Sequence, residues 1–189
     1  MATIPEALSL ALQHHHAGRL SAAEALYRQI LQAQPDHADA LHLFGVIAHQ
    51  LGKADLAAEY ISQAIRINSR AAEYYNNLGV VYRAAGKLEY AVVQYKEALA
   101  LRPAYAQASY NLGVVFQDQG KPAEAEAQFR QTLAVKPDDA SACCKLGDTL
   151  KGQGKLVEAV AQYRQALALN SGYTEAYNNR GVAYFNLGN

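Results

Sequence analysis

The sequence predicts an all-α chain of stacked helix pairs, and three observations carry that prediction. Residue types recur at a constant interval of 34. Good helix formers (Ala, Leu, Gln, Glu, Lys) dominate, while β-branched runs are scarce. Glycines stand at regular points, where a helix would end or be closely approached. The expected architecture is an α-α superhelix of five helix-turn-helix repeats plus one extra helix.

The interval shows as columns. Gly18, Gly52, Gly86, Gly120, Gly154 and Gly188 form one; Gly45, Gly79, Gly113, Gly147 and Gly181 form a second. Ala23, Ala57, Ala91, Ala125 and Ala159 form a third, followed four places on by Tyr27, Ile61, Tyr95, Phe129 and Tyr163. Pro35, Pro103 and Pro137 form another, with Ser69 and Ser171 at its remaining places. No insertion disturbs the spacing, and repeats are expected at 4–37, 38–71, 72–105, 106–139 and 140–173, with a half-repeat at 174–189.

Each column has a physical reason. The first glycine series lies between two helical segments, where positive φ ends one helix and turns the chain. The second lies inside a helix, where glycine costs up to about 1 kcal/mol against alanine, a cost offset if a neighbouring helix comes close. The alanine and aromatic columns lie one turn apart on one helical face. Small residues on one helix would thus receive large ones from the next, and proline would stop the second helix of each pair.

The stretch Tyr75, Leu78, Gly79, Tyr82, Ala91, Tyr95, Pro103 resembles the tetratricopeptide pattern, with Tyr in place of its Trp and Phe. The likeness covers nearly the whole chain. Ala11 departs from it at the inner glycine of the first repeat, as does Arg180 at the usual leucine of the last; looser packing is expected at both ends. The resemblance implies a solenoid whose first helices line a concave groove, and no single repeat could bury its apolar face alone.

In the family, the second, fifth, sixth, ninth, twelfth and thirteenth places of each repeat face the groove. The sixth place gives Asn77, Asn111 and Asn179, interrupted by Lys145. The fifth gives His42, Asn76, Tyr110, Cys144 and Asn178; the ninth gives Val46, Val80, Val114, Asp148 and Val182. A carboxamide can donate to a backbone C=O and accept from a backbone N–H, so asparagines beside valines suit an extended polypeptide. Asn76, Asn77, Val80, Tyr110, Asn111, Val114, Asn178 and Asn179 are the candidate peptide-binding residues. The same asparagines could instead bridge neighbouring helices. The ladder resembles that of protein O-linked N-acetylglucosamine transferases, which implies a substrate-recruiting arm of a larger enzyme as the alternative to a free-standing scaffold. A chaperone carboxylate clamp is excluded, because its ninth place needs Asn and here it is mostly valine.

The remaining chemistry is sparse. Seventeen Lys and Arg balance seventeen Asp and Glu, so nothing favours nucleic acid or an anionic membrane. His14, His15, His16, His42 and His49 lack a carboxylate or thiolate placed to complete a metal site. Cys143 and Cys144 are adjacent and read as a reduced thiol pair. The recurring Gly-Lys pairs are helix ends rather than phosphate loops, since no strand precedes them. Glu97, Glu124 and Glu158 read as solvated carboxylates. No nucleophile, base and oxyanion donor come together, so neither catalysis nor a cofactor is expected.

The start "MATIPEALSLALQHHH" lacks a basic leader and a small-residue cleavage site, and no apolar stretch reaches the roughly 20 residues that span a bilayer. A cytoplasmic chain is expected. The last segment supplies a first helix without a second, so Tyr184 and Leu187 are expected to be exposed and open to self-association. An N-terminal fragment of a longer protein is the matching expectation.

Overall fold

In the computed structural model, which describes residues 3–188, eleven α-helices and no strand occur among the described residues. The first helices of the pairs are α1 (Ile4–His16), α3 (Ala38–Gln50), α5 (Ala72–Ala84), α7 (Ala106–Asp118), α9 (Ala140–Gly152) and α11 (Thr174–Asn186). The second helices are α2 (Leu20–Ala33), α4 (Ala54–Ile67), α6 (Leu88–Leu101), α8 (Pro122–Val135) and α10 (Leu156–Leu169). The expected all-helical fold is the observed one.

The turn within a pair is a glycine-terminated helix end. At α3, Gly52 has φ 76°, its N–H donates to the His49 carbonyl at 2.9 Å, and the Lys53 N–H donates to the Ala48 carbonyl at 2.9 Å. These crossed bonds satisfy carbonyls that the helix end would orphan. A β-branched side chain at that φ would clash with its own backbone, so glycine is selected locally.

The turn between pairs uses two devices. Pro35 and Pro137 follow Gln34 and Lys136, whose backbones leave the helix at φ −140° and −133°. Where serine replaces proline, the preceding asparagine supplies the turn. Asn68 Oδ1 accepts from the Arg70 N–H at 3.1 Å, and Asn170 Oδ1 accepts from the Gly172 N–H at 3.1 Å. The side chain mimics a backbone turn and stops the helix without proline.

The chain divides into two compact units, Met1–Leu101 and Arg102–Asn189. In the first, each helix packs on the next from α1 to α6, and α3 also touches α5. Its core has one cluster around Tyr27, Ile30, Phe44 and Ile47 and another around Ile61, Tyr74, Leu78 and Val81. In the second unit the same succession runs from α7 to α11, with α9 touching both α7 and α11. Leu112, Phe116, Phe129, Leu146, Leu150 and Tyr163 are among its large buried side chains. The alanine column is fully buried throughout, which lets the helices of a pair close on one another.

Candidate functional site

In the first unit the face of α3 and α5 that carries the asparagines is a connected network. The Tyr74 hydroxyl donates to Asp39, and its ring stacks on His42 with centroids 4.4 Å apart. His42 Nε2 accepts from Asn77 Nδ2 at 2.8 Å, and Asn77 Oδ1 accepts from Asn76 Nδ2 at 3.2 Å. Burial pushes the His42 imidazole down from 6.5 to about 4, against the opposing pull of Asp39 and Glu73. It is therefore neutral near pH 7 and can accept that hydrogen bond. Two of the positions on the Asn77 carboxamide are engaged in this network, and one N–H and one lone pair lie outside it.

Two cavities open beside this network. One of about 210 Å³ is lined by Val46, His49, Gln50, Asn77, Val80 and Val81, with Ile61 at its floor. The other, of about 290 Å³, includes Leu8, Leu12, Leu43, Asp39, His42 and Tyr74. Asn77 borders the first and His42 the second, so their hydrogen bond joins the two walls. An apolar floor with a few convergent polar groups is how small recessed ligand sites are built. Asn76 is only 4 % exposed, so it supports Asn77 from behind.

In the second unit Tyr110, Asn111 and Val114 are half-buried on α7, and Asn178 is exposed on α11. The Tyr110 ring lies edge-on to Phe129 at 5.8 Å, and burial raises its hydroxyl pKa. Asn111 Oδ1 accepts from Gln107 Nε2 at 3.1 Å. Asn179 Nδ2 donates to Asp148 Oδ1 at 2.8 Å while its Oδ1 accepts from Lys151 Nζ at 3.1 Å. Asn179 thus bridges α11 to α9, whereas Asn111 is bonded within its own helix.

Lys145, which interrupts the asparagine column, is an ionic cross-link. Its Nζ lies 2.9 Å from Glu175 Oε1 on α11 and 3.6 Å from Asp148 Oδ2. Burial opposes its charge, but the Glu175 and Asp148 carboxylates outweigh it and raise the pKa. Asp148 also accepts from the Tyr163 hydroxyl at 2.8 Å. This hub escapes a reading of the sequence because Lys145 and Glu175 are 30 residues apart.

Potential metal ligands meet only here among the described residues: Cys144, Asp148 and Glu175 place one donor atom each within 4.8 Å of one another. Cys144 and Asp148 are one helical turn apart on α9, while Glu175 comes from α11 and none of the histidines takes part. Burial, with help from Asp148, pushes the Cys144 thiol up to about 12. A metal would have to displace the Lys145 ammonium and deprotonate that thiol, so the resident cation of this cluster is lysine. Of the histidines, His15 Nε2 pairs with Gln50 Oε1 at 3.0 Å, and Arg19 donates to His14 Nδ1 at 2.8 Å.

Comparison with known proteins follows the periodicity. A family model described as TPR repeat matches residues 79–120 and 147–188; two described as tetratricopeptide repeat match 8–72 and 106–136. No curated protein matches the chain. Among solved structures, the thermophilic TPR protein TTC0263 of Thermus thermophilus is 26 % identical, over 97 % of this chain and 100 % of that one, with a TM-score of 0.74. MamA is 25 % identical over 87 % of this chain and 96 % of its own, with a TM-score of 0.78. YrrB, described as a TPR protein with an unusual peptide-binding site, shares the fold at 18 % identity, 95 % and 92 % coverage and a TM-score of 0.76.

Proposed function

Because the chain belongs to the tetratricopeptide repeat family, we propose that it is a non-catalytic interaction scaffold that holds extended polypeptide against its first helices. In the first unit Asn77 and Val80 contact the ligand and Asn76 steadies Asn77. In the second, Tyr110, Asn111, Val114, Asn178 and Asn179 play the corresponding parts. The observation that carries this reading is the half-satisfied Asn77 carboxamide at the edge of the cavity of about 210 Å³. A peptide backbone can take up its remaining N–H and lone pair while an aliphatic side chain enters beside Val46 and Val80. Recognition of this kind tolerates many sequences, because the carboxamide reads the backbone.

Each such bond contributes about 1 kcal/mol, so affinity accumulates along the face. The test is calorimetry with a peptide selected by display on the wild-type chain. Asn77→Ala should weaken a peptide held by the first unit by about fivefold, and Asn111→Ala one held by the second. Unchanged affinity in the double variant would remove these asparagines from the site.

The recruiting-arm reading, in which the scaffold serves a glycosyltransferase-like enzyme, draws on the asparagine column alone. No helix among the described residues is long and apolar enough to cross a membrane; we place the scaffold in the cytoplasm. Self-association draws on the exposed face of α11, where Tyr177 and Phe185 are 60 % and 81 % exposed.

A further inference from the structure

The cavity of about 290 Å³ beside His42 has two kinds of wall. Leu8 and Leu12 of α1, Leu43 of α3 and Ala71 are apolar, while Asp39 and Glu73 each bring a carboxylate. Among the described residues that line it there is no lysine or arginine, and His42, neutral near pH 7, adds no positive charge. Both carboxylates lie in the first turn of their helices, where the dipole favours an anion, but the dipole does not account for the open space beside them. Both also act on His42, so their fields converge on the same cavity. Each has protein contacts of its own, and the roughly four acceptor positions of a carboxylate leave room for a further donor.

The second unit shows what such an arrangement holds. Three repeats later, Glu175 stands at the place of Glu73 and Lys145 at the place of Leu43. The Lys145 ammonium lies 2.9 Å from Glu175 and 3.6 Å from Asp148. Tyr110 and Tyr173 stand at the places of Leu8 and Ala71, and the charge of Lys145 acts on both hydroxyls. The first unit has shorter, uncharged side chains at all three places. It keeps the acid at Glu73, and Asp39 brings the second carboxylate that Asp148, whose counterpart is Val46, brings in the second unit. A recess with apolar walls and two acids at its border complements a cation on an aliphatic stem.

We infer that this cavity receives a lysine or arginine side chain of the polypeptide bound along α3 and α5. The stem lies against Leu8, Leu12 and Leu43, and the cationic head lies between Asp39 and Glu73. The inference rests on the reading that polypeptide lies along this face, and it deepens that reading. Asn77 takes the backbone, and the cavity across the His42–Asn77 bond adds a preference for one basic residue. An acidic side chain at that position is repelled, so the cavity selects by the sign of charge.

The test uses three pools of short fluorescent peptides, randomised over uncharged residues except for one central lysine, norleucine or glutamate. Norleucine keeps the stem and removes the charge. The full 189-residue chain should bind the lysine pool about tenfold more tightly than the norleucine pool, and the glutamate pool least. In about 1 M salt that ratio should fall towards one. The ratio is the readout, because a general disturbance of the face lowers both affinities together. Asp39→Asn combined with Glu73→Gln should bring it close to one. So should Leu43→Lys, which copies Lys145 and gives the cavity a resident ammonium. Asn77→Ala should weaken all three pools and keep the ratio. Equal affinity for the lysine and norleucine pools overturns the cavity and leaves the backbone reading standing, as does a lysine preference that survives both the double variant and Leu43→Lys. A preference that both abolish, with every pool indifferent to Asn77→Ala, supports the cavity and overturns the backbone reading instead. Saturation by none of the pools at millimolar concentration overturns both.

Discussion

A β-carbon added to Gly79 would stand 2.6 Å from Cε1 of Tyr95, well inside the contact distance of two carbons. The glycine is therefore selected by the ring of the next helix, against its poor helix propensity. Gly79→Ala should destabilise the chain by about 1–2 kcal/mol, the strain of overpacking less the gain in helix propensity. Gly181→Ala meets no atom within 4 Å and should stabilise by up to about 1 kcal/mol. Urea denaturation of the two variants checks the contrast. If both stabilise, the ring does not select the glycine.

This relationship explains why the fold was legible in the sequence. Every pair buries a small-and-large stripe, so a small inner residue, alanine and a large side chain return at a fixed interval, with Ala11 in place of the first glycine and Ile61 in place of one ring. Asn68 and Asn170 were harder to recognise, because an asparagine turn replaces proline only through its side-chain bond. The site was legible in part. Asn77 and Asn179 lie in connected networks whose partners, His42 and Asp148, belong to the preceding pair. The depth of Asn76 and Cys144 depends on how tightly neighbouring helices close, which no local pattern records. Lys145 interrupts the asparagine column with an ion pair whose partners are distant in sequence.

His42 makes stability depend on pH. Its imidazole titrates near 6.5 when unfolded and near 4 when folded, because burial disfavours the charged form. The unfolded chain takes the proton first, so the neutral network is fully stabilising above pH 6.5 and weakens as pH falls towards 4. The loss across this window is about 3 kcal/mol, since each pH unit separating the two values is worth roughly 1.4 kcal/mol. His42→Gln keeps an acceptor for Asn77 without a titrating ring. Denaturation curves between pH 7.5 and 4.5 should be flatter for this variant, and equal slopes would refute the assignment.

Glu126 offers the opposite sign. It is 6 % exposed and lies 2.9 Å from Lys155 Nζ, with Arg130 also paired to it. The hydrogen bond from Lys155 leads the effects that hold its carboxyl below the usual 4.5. That stabilisation is present above pH 4.5 and is lost as pH falls through the lowered value. Lys155→Met should cost about 1 kcal/mol at pH 7, since Lys155 is half exposed and Arg130 remains. The difference between variant and wild type should shrink as pH falls below 4.5; a constant difference would mean that Lys155 acts through packing alone.

Cys143 and Cys144 test how tightly α9 is held. Both are fully buried, and burial raises their thiols to about 11 and about 12, with Asp139 and Asp148 adding to the effect. At pH 8 the thiolate is then roughly a thousandth of the first and a ten-thousandth of the second, and the thiolate is the reacting form. Neither should react with an aromatic disulfide reagent in the folded chain within minutes, whereas both should react at once in urea. Slow native labelling should follow opening of the second unit and accelerate with urea. Lys145→Met removes the cross-link to Glu175 without touching either sulfur. It should speed labelling by loosening α9 from α11, and an unchanged rate would show that the ion pair does not secure that contact.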